Sequence, residues 1–408
     1  MKRVKLTYTD LFILVSLLTL VSSFIMWICG LGNINQSVLS PEPIFCDFFY
    51  HVGYASAGAD LYSVSDKVCF PPLAYCLYYL VWKMNPAPAT IDPGDWEAFR
   101  GYENNLLILV LYSIVSAILL VECVRAYMRD SGQGRKTLIV SLLIICSYPF
   151  MGAAIQRGNM IVITSVLIAY SFLWIDSDNA VKRELALVFL AIASCLKIAP
   201  AFLGLYYLFD KRYKEFARLV IYTIILFFGP FVFFGGMEGI REFFNNVMTL
   251  AGKQDEYSWN TVYGFVSRVV DGKVSQAHKE ILAAFSRQAF LVICTICAWM
   301  TGDKWKRIFF LCMVPVSYVS SNYVYTLTYF LAPAVLFLKE EGAGEAKRLI
   351  PSLVALGFGL VFSLPSWMNY VFADGIREGM FVILFPATAL MAVWTIYRFF
   401  VSHKGRLM

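Results

Sequence analysis

Apolar runs of near-membrane length recur along the chain, and they restrict its fold more than any other feature. A bilayer span needs about 20 apolar residues, and the backbone of such a run must form a helix because hydrocarbon offers no hydrogen bonds. Only 15% of the residues are charged, against about 25% in soluble domains. An all-α polytopic membrane protein is therefore predicted. The runs that predict spans are 11–31, 105–124, 138–155, 160–175, 219–234, 289–300, 308–319, 323–338, 350–370 and 380–400.

One further apolar run, residues 185–209, is a poor candidate for a single crossing. Lys197 and Pro200 interrupt it midway, and basic loops flank it on both sides. An unpaired charge at mid-membrane costs about 2.5–3.5 kcal/mol, and proline breaks a helix. If both loops are cytoplasmic, the run enters and returns as two short helices broken at residues 197–200. Such a re-entrant hairpin is tolerated where protein covers the break.

The positions of lysine and arginine determine the predicted topology. With the N-terminus inside and the broken run treated as a hairpin, most of the 34 Lys and Arg residues fall in cytoplasmic loops, as the positive-inside rule requires. The net charge of +6 thus reflects topology rather than nucleic-acid binding. The pattern predicts about twelve membrane helices with the hairpin counted as two, cytoplasmic N- and C-termini, and two large outer loops at residues 32–104 and 235–288.

The first outer loop holds a dense group of polar side chains in residues 45–72. Asp47 and His51 lie four residues apart and would share one face of a helix, with Tyr50 and Tyr62 nearby. A carboxylate just outside a span, among aromatic rings, suggests chemistry at the bilayer surface. The alternative is a loop that only covers the helices, in which Asp47 caps a helix and His51 is a solvated interfacial residue.

The sequence lacks the motifs of nucleotide-dependent or zinc-dependent enzymes. SGQGRKT at residues 131–137 does not have the spacing of a phosphate loop, and neither HExxH nor GxSxG occurs. An enzyme that faces outward has no ready supply of nucleotides, so its activated substrate would arrive as a lipid-linked donor. Most of the ten cysteines lie in apolar runs, where thiols pack as small hydrophobes, while a disulfide between Cys46 and Cys69 stays open.

Six short motifs follow one another along the chain in the order and with the approximate spacing of a known family. They are Asp47–Tyr50 (DFFY), Ala59–Tyr62 (ADLY), Phe70–Leu73 (FPPL), Gln156–Asn159 (QRGN), Lys197–Pro200 (KIAP) and Trp259–Arg268 (WNTVYGFVSR). With these motifs, roughly residues 10–270 of the chain resemble glycosyltransferase family 87. That family comprises polyprenyl-phosphate-mannose-dependent mannosyltransferases of the GT-C membrane fold.

The resemblance implies a fold and a division of the chain. The GT-C fold has a shared seven-helix module, with large loops after its first and seventh helices and short fifth and sixth helices. The expectation is a single membrane domain over residues 1–408, with the catalytic module at 1–284 and C-terminal helices at 289–408. The segment 320–325 (SSNYVY) departs from the family, which often has histidine there, and this puts the exact sugar in question.

The resemblance also implies roles for individual residues. Asp47 is expected to be the catalytic base. For four other residues a role outside substrate binding stays open: lipid anchoring for Arg157, a structural role at the hairpin tip for Lys197, and loop packing for Asn260 and Arg268. No metal or other cofactor is implied, because arginine and lysine can balance a monophosphate leaving group. The residues expected to bind substrate are Tyr50, His51, Tyr62, Arg157, Asn159, Lys197, Asn260 and Arg268.

The predicted activity is transfer of a hexose, with mannose as the expected sugar, from a polyprenyl-phosphate donor to a glycolipid or glycan acceptor. The reaction would invert the anomeric carbon on the outer face of the plasma (cell inner) membrane. The alternatives are a transporter or flippase of lipid-linked sugars, which would show inverted repeats and several deep charge pairs, and a membrane scaffold without catalysis.

Overall fold

The computed structural model describes residues 5–30, 44–84, 95, 98–99, 105–129, 132–252, 261–318, 323–363 and 376–407, most of which are helical. Within these ranges the only extended pairing is an isolated bridge between Thr7 and Glu345, so the predicted all-α class is confirmed. The helices in chain order are α1 (Tyr8–Ile28), α2 (Cys46–Ala55), α3 (Pro72–Met84), α4 (Asn105–Met128), α5 (Gly134–Ile145), α6 (Ile161–Trp174), α7 (Ala180–Leu196), α8 (Leu205–Phe209), α9 (Tyr213–Phe228), α10 (Gly236–Gly252), α11 (Val262–Val269), α12 (Gln276–Met300), α13 (Lys304–Ser317), α14 (Leu331–Glu340), α15 (Leu349–Ser363) and α16 (Ile376–Leu407).

Five helices in the described part of the chain are long and apolar enough to cross a membrane. This makes the chain a multi-pass membrane protein, while the count of about twelve crossings and the GT-C topology stay predictions. The five segments are Tyr8–Met26, Leu106–Met128, Tyr213–Phe233, Gln276–Met300 and Leu384–Val401. Shorter apolar helices are Ile161–Trp174, Ala199–Phe209 and Leu349–Ser363.

The predicted span at residues 138–155 is not one continuous helix. α5 ends at Ile145, and after an intervening turn the chain forms a single wide turn at Met151–Ile155. Pro149 lies in the interruption, and its ring and missing N–H prevent a straight helix from continuing through it. The broken end matters because the motif Gln156–Asn159 follows it directly.

The helices group into two compact units that alternate along the chain. The terminal unit comprises residues 1–40, 120–151 and 255–408, and the middle unit comprises residues 41–119 and 152–254. These units are defined by packing and differ from the division at residue 284, which stays a prediction.

In the terminal unit, three segments that the sequence assigns to the cytoplasm lie together. The amide of Ala346 donates to the carbonyl of Leu6 at 2.8 Å, which ties the loop before α15 to the N-terminal segment. Lys136, near the start of α5, forms an ion pair with Asp10 of α1 at 2.7 Å. The predicted topology places these three segments on the same side of the membrane, and their direct contacts agree with that placement.

In the middle unit, the apolar run at residues 185–209 turns back on itself. α7 ends at Leu196, Lys197 is extended, and a 3₁₀ turn at Ala199–Gly204 leads into α8. Arg212, just after α8, donates to the carbonyl of Ile175 at 2.7 Å and pairs with Asp176, just before α7. The two ends of the run therefore lie on the same side of the unit, with Lys197 at the far end of α7, about 25 Å away along a helix of this length. This is the geometry of the predicted hairpin.

The topology can be tested by labelling single cysteines introduced into the loops. Ser177→Cys and Lys211→Cys flank the hairpin and should react with a membrane-impermeant maleimide only after cells are opened, like Lys347→Cys. His278→Cys should react in intact cells. The wild-type protein, with its native cysteines, provides the background signal. Labelling of positions 177 and 211 from opposite faces would contradict the hairpin.

Candidate functional site

The site begins with the tight turn Gln156–Asn159, which packs against the start of α2. Gly158 has φ +66°, a left-handed conformation that glycine adopts without steric cost. A Cβ at this position would lie 2.6 Å from the ring of Phe45 and 2.7 Å from the Cβ of Phe48. Two backbone hydrogen bonds join the same segments, from the amide of Phe45 to the carbonyl of Gln156 and from the amide of Phe48 to the carbonyl of Arg157.

This close approach brings Asp47 and Arg157 together in a two-pronged ion pair. Arg157 donates from Nη2 to Oδ1 of Asp47 at 2.7 Å and from Nε to Oδ2 at 3.1 Å. The side chains are only 15% and 14% exposed, so the pair is largely shielded from water. Fork-shaped pairs of this kind are among the stronger charge-assisted hydrogen bonds, and they fix the orientation of the carboxylate.

Asn159 completes the support of the carboxylate. Its Nδ2 donates to Oδ2 of Asp47 at 2.8 Å, and its Oδ1 accepts from the amide of Ile161 at 3.0 Å, at the start of α6. Its own carbonyl accepts from the hydroxyl of Tyr112 on α4 at 2.5 Å. Because both ends of the buried amide are engaged, Asn159 holds Asp47 in register with two other helices.

The surroundings of Asp47 keep it ionised. Burial alone would raise its pKa, but the hydrogen bonds and charge of Arg157, together with the hydrogen bond from Asn159, outweigh burial and hold the pKa below its usual value. The carboxylate is therefore charged at neutral pH and remains charged at lower pH than an ordinary aspartate.

His51 lies one turn after Asp47 in α2, among aromatic rings. Its Nδ1 is 3.1 Å from the hydroxyl of Tyr75, and its ring stacks on Phe70 with centroids 4.2 Å apart. Burial lowers the pKa of His51 from 6.5 to about 3, a shift that the charge of Asp47 opposes and the charge of Lys197 assists. His51 is thus neutral at physiological pH and acts as a hydrogen-bonding group rather than as a cation.

Lys197 lies at the tip of the hairpin with its charge over an aromatic face. Its Nζ is 4.0 Å from the centroid of the Phe70 ring. Such a cation–π contact contributes about 2 kcal/mol or more when desolvated, which offsets much of the cost of a lysine at this position.

The remaining predicted residues are placed less directly. Tyr50 is exposed and stacks on Tyr54, whereas Tyr62 is buried and donates its hydroxyl to the carbonyl of Phe70 at 3.0 Å. That geometry gives Tyr62 a supporting role.

Arg268 belongs to α11 of the terminal unit, and Asn260 lies outside the described residues, as does Asn322 of the divergent segment. Cys46 and Cys69 are free thiols.

Sequence reasoning missed two residues that shape the site, Phe70 as a side chain and Asn246. In the sequence, Phe70 stands out only as part of the FPPL motif. Asn246 of α10 is 7% exposed and donates to three backbone carbonyls of the segment 62–68. An asparagine in an amphipathic helix, here next to the exposed Asn245, gives no sequence signal of this kind, because its partners are about 180 residues away.

Taken together, the middle unit contains a fixed, ionised carboxylate, a neutral imidazole and two cations. A carboxylate can accept up to four hydrogen bonds. Oδ2 of Asp47 accepts two strong ones, while Oδ1 accepts one from Arg157 and a weak one from the Cys46 thiol at 3.6 Å. Oδ1 is therefore the oxygen best placed to receive a substrate hydroxyl in place of the thiol.

Comparison with known proteins identifies one family. The model of glycosyltransferase family 87 matches residues 102–321, more than half of the chain. The matched region contains Arg157, Asn159 and Lys197, and it begins after α2, which carries Asp47 and His51. No curated protein matches the chain, and no solved structure matches it.

The turn at Gly158 provides a test of how the site is built. Gly158→Ala should destabilise the protein by at least about 1–3 kcal/mol, because alanine is strained at positive φ and its Cβ would displace Phe45. Gly134→Ala is the matched control, since Gly134 begins a helix with no neighbour within 4 Å of the added Cβ. Thermal unfolding of the purified proteins in detergent measures the difference. Equal melting temperatures for the two variants would show that the close approach does not constrain the turn.

Proposed function

The chain belongs to glycosyltransferase family 87, and on that basis we propose that Asp47 and Arg157 form its catalytic centre. The proposed reaction moves a hexose, with mannose as the expected sugar, from a polyprenyl-phosphate donor to a glycolipid or glycan acceptor. It inverts the anomeric carbon and takes place on the outer face of the membrane. The observation that carries this proposal is the largely buried carboxylate held by Arg157 and Asn159.

Asp47 is proposed as the general base. The acceptor hydroxyl is a weak nucleophile until its proton is removed in the transition state, and a positioned carboxylate accelerates such a step by about 10²–10⁴-fold. The hydroxyl would donate to Oδ1 while Oδ2 stays bonded to Asn159. Because the pKa of Asp47 is lowered, the base form should persist below the pH at which an ordinary aspartate becomes protonated.

Arg157 is proposed to stabilise the leaving phosphate. A guanidinium carries five N–H donors in a planar fork, so one arginine can hold a carboxylate through Nε and one Nη while its other Nη binds a phosphate oxygen. Arg157 would then keep the negative charges of Asp47 and the donor phosphate apart and partly neutralise both. Lys197, whose charge also acts on His51, would supply the second positive charge.

His51 is proposed to bind the sugar as a neutral group. Its Nδ1 meets the Tyr75 hydroxyl, and its ring lies against Phe70. A neutral imidazole and an aromatic face suit the hydroxyl groups and the apolar face of a pyranose. The substrate-binding roles of Tyr50, Asn260 and Arg268, and the help of Arg268 at the phosphate, come from the family resemblance alone and stay predictions.

Asp47→Asn tests the proposed base because asparagine keeps the shape and loses the basicity. Purified enzyme should transfer sugar from a polyprenyl-phosphate hexose about 10²–10⁴-fold more slowly. The exposed carboxylates of the same loop provide controls, and Asp60→Asn and Asp66→Asn should remain near the wild-type rate.

Removing one partner of a largely buried pair can destabilise a protein by about 3–5 kcal/mol. The double variant Asp47→Asn/Arg157→Gln leaves no unpaired charge and should unfold near the wild-type temperature while staying inactive. A near wild-type rate in folded Asp47→Asn enzyme would reject Asp47 as the base. Transfer from a nucleotide sugar without a lipid carrier would reject the proposed donor.

A further inference from the structure

Phe70 links the two polar parts of the site through its ring. It follows the 3₁₀ turn at Gly58–Ser63 and directly precedes Pro71 and Pro72, where α3 begins. The ring stacks on His51 at 4.2 Å and also lies 4.0 Å from Nζ of Lys197. One aromatic side chain therefore touches the imidazole of α2 and the ammonium group at the hairpin tip.

The backbone of Phe70 is held in place by Tyr62 and by the two prolines that follow. Its carbonyl accepts the hydroxyl of Tyr62, whose ring packs on Tyr75, Phe231 and Phe243 at centroid distances of 5.8, 5.5 and 5.4 Å. Proline at the next two positions restricts φ, so the segment has little freedom to move away.

Asn246 secures the segment that leads to Phe70. Its Nδ2 donates to the carbonyls of Tyr62, Ser65 and Val68 at 2.9, 3.3 and 3.1 Å. The buried amide thus ties three carbonyls of this segment to α10. Loss of the donor would remove one partner from each of these carbonyls, of which the Ser65 carbonyl keeps the amide of Val68 at 3.1 Å, and this loss favours movement of the segment.

We propose that Phe70 is a positioning residue that presents Lys197 to the donor phosphate, and that Asn246 holds Phe70 in the required place. This inference rests on the proposed function, because it takes the phosphate of the donor as the ligand of Lys197. A lysine side chain loses much rotamer freedom when it binds an anion. An aromatic face that already orders the ammonium group reduces that loss, so the donor binds more tightly.

The kinetic test compares aromatic and aliphatic side chains at position 70. Phe70→Leu should raise the KM for the polyprenyl-phosphate hexose about tenfold with a smaller change in kcat, because it weakens donor binding more than the chemical step. Phe70→Trp keeps a strong cation–π partner and should restore most of the affinity. In a Lys197→Gln background, Phe70→Leu should raise the donor KM much less than it does in the wild type, and the remaining effect should come from the lost stacking of Phe70 on His51. An equal donor KM for wild type and Phe70→Leu would overturn the proposal.

Asn246→Asp removes the amide donor with little change in shape and should raise the donor KM in the same way. Asn245→Asp adds the same charge at an exposed neighbouring position and serves as its control. Equal effects of the two substitutions would assign the result to charge and overturn the role of Asn246.

A second readout does not depend on transfer. Reductive ¹³C-methylation of lysines places a methyl probe on Lys197, identified by the resonance that Lys197→Arg removes. The ring of Phe70 should shift this resonance upfield in the wild type, and Phe70→Leu and Asn246→Asp should move it toward the position of solvent-exposed lysines. An unchanged resonance in Phe70→Leu would overturn the placement of Lys197. A ring-shifted resonance in an enzyme that transfers nothing from the polyprenyl-phosphate donor would reject the proposed function and support the placement.

Discussion

The ion pair between Asp47 and Arg157 is the interaction on which the middle unit depends. It joins residues 110 positions apart and lies largely out of water. Two charges in such a place are tolerated only when each neutralises the other and the remaining lone pairs are satisfied. Asn159 meets the second condition, and the left-handed Gly158 lets the turn approach α2 closely enough for the first. The left-handed turn, the burial and the charges therefore explain one another.

Lys197, at the tip of the hairpin, is a second cation whose charge is stabilised by a neighbouring group. A lysine at the end of a broken helix would be costly in an apolar surrounding, yet Lys197 has the ring of Phe70 beneath its charge. The same break that ends α7 thus delivers an ammonium group to the region of His51, whose pKa responds to it. Lys197 can have a structural and a functional role at once, because the contact with Phe70 that lowers the energetic cost of a charge in this place also orients the lysine side chain.

Much of this organisation is predictable from the sequence, since it follows from local chemistry. The break at Lys197–Pro200, the face shared by Asp47 and His51, and the turn at Gln156–Asn159 all follow from residue types and spacing. The pairing of Asp47 with Arg157 and the clamp made by Asn246 do not, because they depend on contacts over long sequence separations. The interruption near Pro149 was predictable in principle, but its apolar flanks favoured one continuous span.

At the centre of the proposed mechanism, the Asp47–Arg157 pair holds a base and a phosphate-binding group side by side. Asp47 by itself could only accept a proton, and Arg157 by itself could only bind an anion. Their combination suits a reaction that removes a proton while a phosphate departs, which is what a lipid-dependent glycosyl transfer requires. The most direct test is a structure of the protein bound to a non-transferable polyprenyl-phosphonate hexose. The proposed mechanism predicts phosphonate oxygens about 3 Å from the guanidinium of Arg157, with the anomeric carbon facing the acceptor position at Oδ1 of Asp47. A phosphonate bound beyond the reach of Arg157, with the Asp47–Arg157 pair unchanged, would contradict it.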